Sequence, residues 1–276
     1  MGRLAEALKL IYNIVRAEIY LNTRFLANNK IVLATLAFWP YGMVAAVVVI
    51  GEAYGSLEEY SRRLGVADPL VFLIAASGVA FTAVAIMDEA ASKAYQGRWL
   101  GVNPYIAVSS GSFTIYVASA GVASSIFMTL LTYTMITPAV VALGGLESGL
   151  RLAVVVAIVM AGMLPLVPLA VAAAMVSLAM KQDSNVMSFV NPMLLMAAGV
   201  FYPVEMLPEV LEMLARLVPV SYVVEAARIV SAFEDPAVAQ LVASLYYLAL
   251  MIVLYNSILA LAVGRAERLV TEEGAL

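Results

Sequence analysis

Between Arg151 and Lys181 the chain reads LAVVVAIVMAGMLPLVPLAVAAAMVSLAM, residues 152–180, with no charged side chain among the 29. An α-helix needs roughly 20 apolar residues to cross the hydrocarbon core of a bilayer. A membrane β-strand would instead alternate apolar and polar residues over about ten positions. The run AVVVAIVMAG at 153–162 does not alternate. In lipid every backbone N–H and C=O must find its partner within the protein, which leaves helices and closed barrels as the only solutions. This stretch therefore reads as helix, and it sets the pattern for the rest of the chain.

Other uncharged runs follow on both sides: 31–51, 69–87, 99–146, 184–204 and 236–264. Six spans fit them, near 31–51, 69–90, 112–141, 152–180, 186–204 and 237–263. Composition agrees. Of 276 residues, 64% are apolar and 12% charged, and the mean hydropathy is +0.97. A water-soluble domain carries about 25% charged residues. With no Cys, a disulfide-stapled class is excluded. The net charge of −4 is too mild and too acidic for a nucleic-acid binder.

Basic residues orient the spans. With a cytoplasmic N-terminus, ten of them (Arg3, Lys9, Arg16, Arg24, Lys30, Lys93, Arg98, Lys181, Arg265, Arg268) fall inside and five (Arg62, Arg63, Arg151, Arg216, Arg228) outside. That is the positive-inside bias. Both termini are expected in the cytoplasm of a cell-membrane protein, and residues 1–30 are too polar and mixed in charge for a cleavable signal peptide.

The segments outside the spans are more specific. Residues 3–26 read as an amphipathic helix with Leu4, Leu8, Ile11, Val15 and Ile19 on one stripe and Arg3, Lys9, Asn13 and Arg16 away from it. Such a helix lies along the membrane surface, either as a topology anchor or as a partner-binding element. Between spans two and three runs DEAASKAYQGRWLGVNP, 88–104. Here a short helix with a glycine break at Gly97 and a stop before Pro104 is expected, against a plain interfacial loop holding Tyr95 and Trp99. After span five, Val204–Leu217 carries Met206, Val210, Met213, Leu214 and Leu217 on one face and Glu205, Glu209, Glu212 and Arg216 on the other. Pro219 interrupts the chain, and a second short segment places Glu225 three residues before Arg228, a helical pairing distance. Two short pieces set off by prolines predict a re-entrant or interfacial hairpin on the outer side. Asn191-Pro192, early in span five, predicts a bend, because proline removes one donor from the helix ladder.

Gly199, Phe201, Pro203, Leu207-Pro208, Leu214, Pro219, Tyr222, Glu225-Ala226 and Arg228 resemble the signature of ABC-2 type permeases, the membrane subunits of one large class of ABC exporters. The six-span layout, the N-terminal helix and the helical loop after span two are similar to that family too. Its usual motif between spans two and three is looser here. Asp88-Glu89, Gly97 and Pro104 are present, and Arg98-Trp99-Leu100-Gly101 replaces the customary residues. The resemblance implies a single all-α polytopic membrane domain over 1–276: a connecting helix at 1–30, six membrane helices over 31–264 and a cytoplasmic tail at 265–276. It implies that residues 89–100 form a coupling helix docking on a nucleotide-binding ATPase subunit. Glu89, Lys93, Tyr95, Gln96, Gly97, Arg98 and Trp99 would make that contact, with Leu8 and Arg16 of the connecting helix. Pro203, Leu207, Pro208, Pro219, Tyr222, Glu225 and Arg228 would form the outer gate, and Asn191 and Pro192 the bend beside the pathway. The working unit would be two permease copies, identical or paralogous, with two ATPase subunits holding ATP and Mg.

No G-x-x-x-x-G-K-[ST] occurs, so no phosphate-cradling loop is expected in this chain. With no His and no Cys, imidazole and thiolate chemistry are excluded, and a typical zinc site with them. No catalytic residue and no metal ligand is assigned. The expected function is outward movement of an amphipathic drug-like or lipid-like substrate, with a polysaccharide or lipid-linked glycan as the alternative cargo. An ion-coupled secondary transporter would place ionisable groups at mid-span, and the six span centres hold none. Pro40, Pro138, Pro165, Pro168 and Pro192 form no inverted repeat. A membrane scaffold is the third class, and it gives no reason for a proline-bounded hairpin.

Overall fold

The computed structural model describes residues 2–56, 59, 62, 69–110, 112–179, 187–199, 204, 207–232 and 237–272. Among them there is no strand. In chain order the helices are α1 (Gly2–Asn28), α2 (Lys30–Tyr54), α3 (Pro69–Trp99), α4 (Asn103–Ser110), α5 (Phe113–Gly162), α6 (Leu166–Ala179), α7 (Met187–Ala197), α8 (Glu209–Arg216), α9 (Pro219–Ala232) and α10 (Ala237–Glu272).

α3 is the central pillar. Phe72, Leu73, Ala75, Ala76, Val79, Ala80, Ala83 and Ile86 are all buried, so the helix is covered on every side. Its small residues let neighbours come close. Gly78 leaves room for Tyr133 and Ile136 of α5, and Tyr133 then donates a 3.1 Å hydrogen bond to the Ala75 carbonyl. The apolar stretch of α3 is 72% buried, against 6% for that of α10, which lies at the edge of the described bundle.

Breaks in the apolar runs decide the remaining architecture. α5 turns back on itself at Gly145, whose φ of 76° and ψ of −174° only glycine adopts easily. Its two arms, 113–144 and 146–162, correspond to span three and the first half of span four. The second half is a separate helix, since Pro165 replaces the regular ladder by a tight turn. There Leu164 N–H bonds to Ala161 C=O and Leu166 N–H to Met163 C=O. Pro138 also lies inside α5. One turn away, the Tyr41 hydroxyl of α2 donates to the Met135 carbonyl and ties the two helices together.

Among the described residues, three helices are long and apolar enough to cross a membrane: Phe72–Trp99, Phe113–Gly162 and Gln240–Ala262. Lys30–Ala46 and Leu166–Val176 are shorter apolar stretches. The expected fifth span at 186–204 is not one continuous helix. α7 covers 11 residues, about 16 Å, and the chain leaves the helix at Gly199 with φ of 68°. The expected hairpin consists of two short helices, α8 and α9, joined through Leu217 and Val218, but the two differ in burial. α8 exposes Val210, Met213 and Leu214, while Val220, Val223, Val224, Ala226 and Ala227 bury α9 in the bundle. α9 packs on α3, α5 and α10 instead of lying across the end of the bundle. A helix this apolar on several faces finds more contact inside than at an interface.

Gly162 is where α9 enters. A Cβ there would stand 2.4 Å from Val223 Cγ2 and 3.4 Å from Leu248 Cδ1. Gly162→Val is expected to destabilise the fold by about 1–3 kcal/mol through overpacking, read as a lower thermal midpoint in detergent. Gly42→Ala, at a site with nothing within 4 Å, should cause no loss.

Candidate functional site

The acidic and basic residues at the far end of α3 form a linked cluster. Lys93 Nζ lies 2.7 Å from Glu18 Oε2 of α1 and 3.4 Å from Glu89 Oε1, one turn earlier. The second oxygen of Glu18 accepts a 3.1 Å hydrogen bond from the Tyr116 hydroxyl at the start of α5. Glu18 is only 4% exposed. One carboxylate thus pins three helices, and its burial is tolerated because both oxygens are occupied. Lys93 and Glu89, expected to face a partner subunit, are engaged within the chain.

Glu18 was hidden in the sequence by its type. The packed face of α1 runs through Ile11, Ile14, Val15, Glu18 and Leu26, while Leu8 is 59% exposed. The expected stripe through Leu4 and Leu8 is therefore rotated around the helix. The available signal was a carboxylate three and four residues beyond Val15 and Ile14, within the apolar stripe. Arg16 is exposed beside it.

The expected break at Gly97 does not occur. α3 runs through it to Trp99 and ends at Gly101, φ 64°. There Val102 N–H bonds to Gly97 C=O at 2.8 Å and Gly101 N–H to Arg98 C=O at 3.0 Å. This pair of bonds is the Schellman closure, which needs a glycine in the left-handed region. Gly97 has a different duty. Asn103, completely buried, sits against it and donates 3.1 Å to the Ala94 carbonyl. A Cβ on residue 97 would stand 1.8 Å from Asn103 Oδ1. The stop before Pro104 becomes a restart, since Asn103-Pro104 opens α4.

The resulting tip is rigid and apolar. The Tyr95 and Trp99 rings meet at a tilt with centroids 6.1 Å apart, and Trp99, Leu100 and Tyr105 are largely exposed. Gln96 is turned back to Ser92 Oγ at 2.7 Å, and Arg98 is half-buried.

At the other candidate region, Pro203 lies outside the described residues, as do Phe201, Glu205 and Met206. Leu207 is half-buried, Pro208 is the residue before α8, and Pro219 is the first residue of α9, where its missing N–H has no intrahelical partner to lose. Tyr222 packs on Tyr247 at 5.4 Å. Arg228 Nε donates to Glu225 Oε2 at 2.9 Å, so these two half-buried charges are paired. Asn191 Nδ2 donates to Asp88 Oδ1 at 2.8 Å, linking α7 to α3 across 103 residues of sequence. Pro192 is exposed within α7.

Two internal features carry no sequence motif. The arms of α5 enclose a groove of about 280 Å³ lined by Leu130, Tyr133, Thr134, Thr137, Gly149 and Leu152, among others. Thr82 of α3 and Thr129 and Thr132 of α5 bury hydroxyls with no protein partner, one helical turn from the Gly78–Tyr133 contact.

Composition, helix lengths and burial together define an all-helical membrane protein. No protein family, no curated protein and no solved structure matches the chain.

Gly97→Ala should displace Asn103 and break its bond to Ala94, costing about 1–3 kcal/mol in a thermal unfolding series; Gly101→Ala should cost less, about 1 kcal/mol. In a double-mutant cycle of Glu18→Gln with Lys93→Gln, the single changes should each cost about 1–3 kcal/mol, below the fully buried range because Lys93 is 23% exposed. A coupling energy near zero would remove the claim that this pair holds α1 in place.

Proposed function

We propose that this chain is the permease half of an ATP-driven exporter. Two copies would work with two separate nucleotide-binding subunits and move an amphipathic, drug-like or lipid-like substrate outward. The observation that carries this reading is the segment 199–228. Five described residues of the permease-like signature there have distinct structural duties: Gly199 at a left-handed turn, Pro208 before α8, Pro219 opening α9, and Glu225 paired with Arg228. A short exposed helix, α8, leading into a second, α9, that is buried in the bundle favours a re-entrant element over a simple loop.

In this reading α1, the 89–100 tip and both termini face the cytoplasm, and the chain crosses the membrane six times through bent and broken segments. ATP binding draws the partner subunits together and pushes on Tyr95, Trp99 and Leu100. Because α3 is unbroken from Trp99 back to Pro69, about 46 Å, the push travels as a rigid displacement into the centre of the bundle. Glu18 and Tyr116 make α1 and α5 move with it. α9, packed against α3, then shifts, and the pathway opens on the far side. Such a change needs contacts that differ between the two states, and the exposed apolar tip supplies the surface on which an ATPase acts.

Co-purification and reconstitution with ATPase subunits encoded by neighbouring genes tests the proposal. A stable complex is expected, with ATP-dependent transport lost in Trp99→Ala or Gly97→Pro while the permease remains folded. Glu225→Ala should lower stability by about 1 kcal/mol by removing the carboxylate that the half-buried Arg228 Nε meets. Failure to bind any candidate ATPase, with transport following an ion gradient and ignoring ATP, would overturn the reading.

A further inference from the structure

α5 folds back at Gly145, so its two arms run antiparallel. Near the turn they touch: a Cβ on Gly149 would stand 2.8 Å from Val141 Cγ2, whereas one straight helix would hold those residues about 12 Å apart. Further from the turn the arms part, and the groove of about 280 Å³ lies between them. Tyr133 and Leu152 are buried and form its floor, while Leu130, Thr134 and Ala153 are exposed along its rim. The volume falls just under the roughly 300 Å³ at which drug-sized sites begin, so the groove suits a small ligand.

Its walls are mostly hydrocarbon, with one acceptor left short of a donor. Pro138 has no N–H, so the Thr134 carbonyl, four residues earlier, lacks the donor of the regular ladder. Nearby hydroxyls are committed elsewhere. Thr137 donates to the Tyr133 carbonyl at 2.6 Å, Tyr41 to the Met135 carbonyl and Tyr133 to that of Ala75. Depth gives this acceptor its value. Thr134 and Val156 each lie 11 residues from Gly145, about 16 Å along their arms. The Glu147–Arg151 ion pair beside the turn belongs at the polar boundary of the bilayer, and half of the hydrocarbon core is about 15 Å. Water does not reach that depth, so an apolar ligand bringing its own O–H serves the carbonyl where solvent cannot.

We infer that this groove binds a small lipophilic alcohol or phenol, which donates its O–H to the Thr134 carbonyl and lays its hydrocarbon body along Leu152 and Ala153. A ligand of the same shape without the O–H gains the apolar contact and leaves the carbonyl unserved, so the site selects donors. A lipid acyl chain is such a ligand. The site needs only a chain embedded in lipid, and no ATPase partner enters it.

The probes are 2,6-diisopropylphenol and its methyl ether, which share an apolar body and differ in the donor. A diazirine-bearing analogue of the phenol is photocrosslinked to the full chain in lipid nanodiscs, and its adducts are placed by peptide mass spectrometry. Adducts are expected within 130–156. The phenol should displace the label about threefold to tenfold better than the ether, the ratio that one net hydrogen bond gives. Pro138→Ala restores an N–H to the Thr134 carbonyl, so it should bring that ratio close to one with the labelled position unchanged. Ala153→Trp should fill the groove and abolish labelling there, with thermal unfolding checking that the chain remains folded. Equal displacement by the ether in the unaltered protein overturns the proposal and leaves a groove for acyl chains. So do adducts confined to other segments, or a donor preference that Pro138→Ala leaves intact.

Discussion

In a lipid-embedded chain, every interruption of a helix exposes backbone groups that no water will satisfy, and the structure is organised around repairing those interruptions. The end of α8 shows the pattern. Ser221 Oγ donates to Ala215 C=O at 3.0 Å and to Val218 C=O at 2.7 Å. The Leu217 carbonyl accepts from the Tyr255 hydroxyl, delivered from α10. Tyr41 adds a hydrogen bond to the Met135 carbonyl near Pro138, and Asn103 one to the Ala94 carbonyl near the end of α3. Each repair joins two elements, so the places where helices break are also the places where the bundle is cross-linked.

That coupling gives weight to the polar contacts that join helices around α3. Buried among hydrocarbon, a polar contact is costly to leave unmade and therefore specific. Glu18 fixes α1 against α3 and α5 at one end, and Asp88 with Asn191 fixes α7 against α3 next to it. Apolar packing supplies the bulk attraction but tolerates sliding. The polar contacts choose the register. Through these contacts the α3 tip is joined to α1, α5 and α7 together.

Much of this was legible from one-dimensional pattern. Uncharged runs located α2, α3, α5, α6 and α10, and Pro219 marked the start of α9. The pairing of Glu225 with Arg228 followed from their spacing, because helical neighbours three apart meet wherever the helix lies. Gly97 and Leu8 show the limit. A glycine inside a helix reads as a break, yet Gly97 is there to admit Asn103, six residues later and folded back. Leu8 completes an apolar stripe on paper, but the face that packs is chosen by where Glu18 finds Lys93 and Tyr116. Neither partner is visible from within α1.

The sequence by itself determined that the chain is helical and belongs in lipid, since hydropathy and the lack of alternation are properties of each residue and its near neighbours. It also marked Pro219 as a helix boundary, because proline acts on its own backbone, but not the turns at Gly145 and Pro165. Only the tertiary structure decided that α9 lies inside the bundle, that α7 is an 11-residue helix ending at Ala197, and that Glu18 is a buried fastening. Those outcomes depend on contacts between segments tens of residues apart. In an almost uniformly apolar chain many such pairings have similar hydrophobic gain, so shape and the few polar partners decide among them.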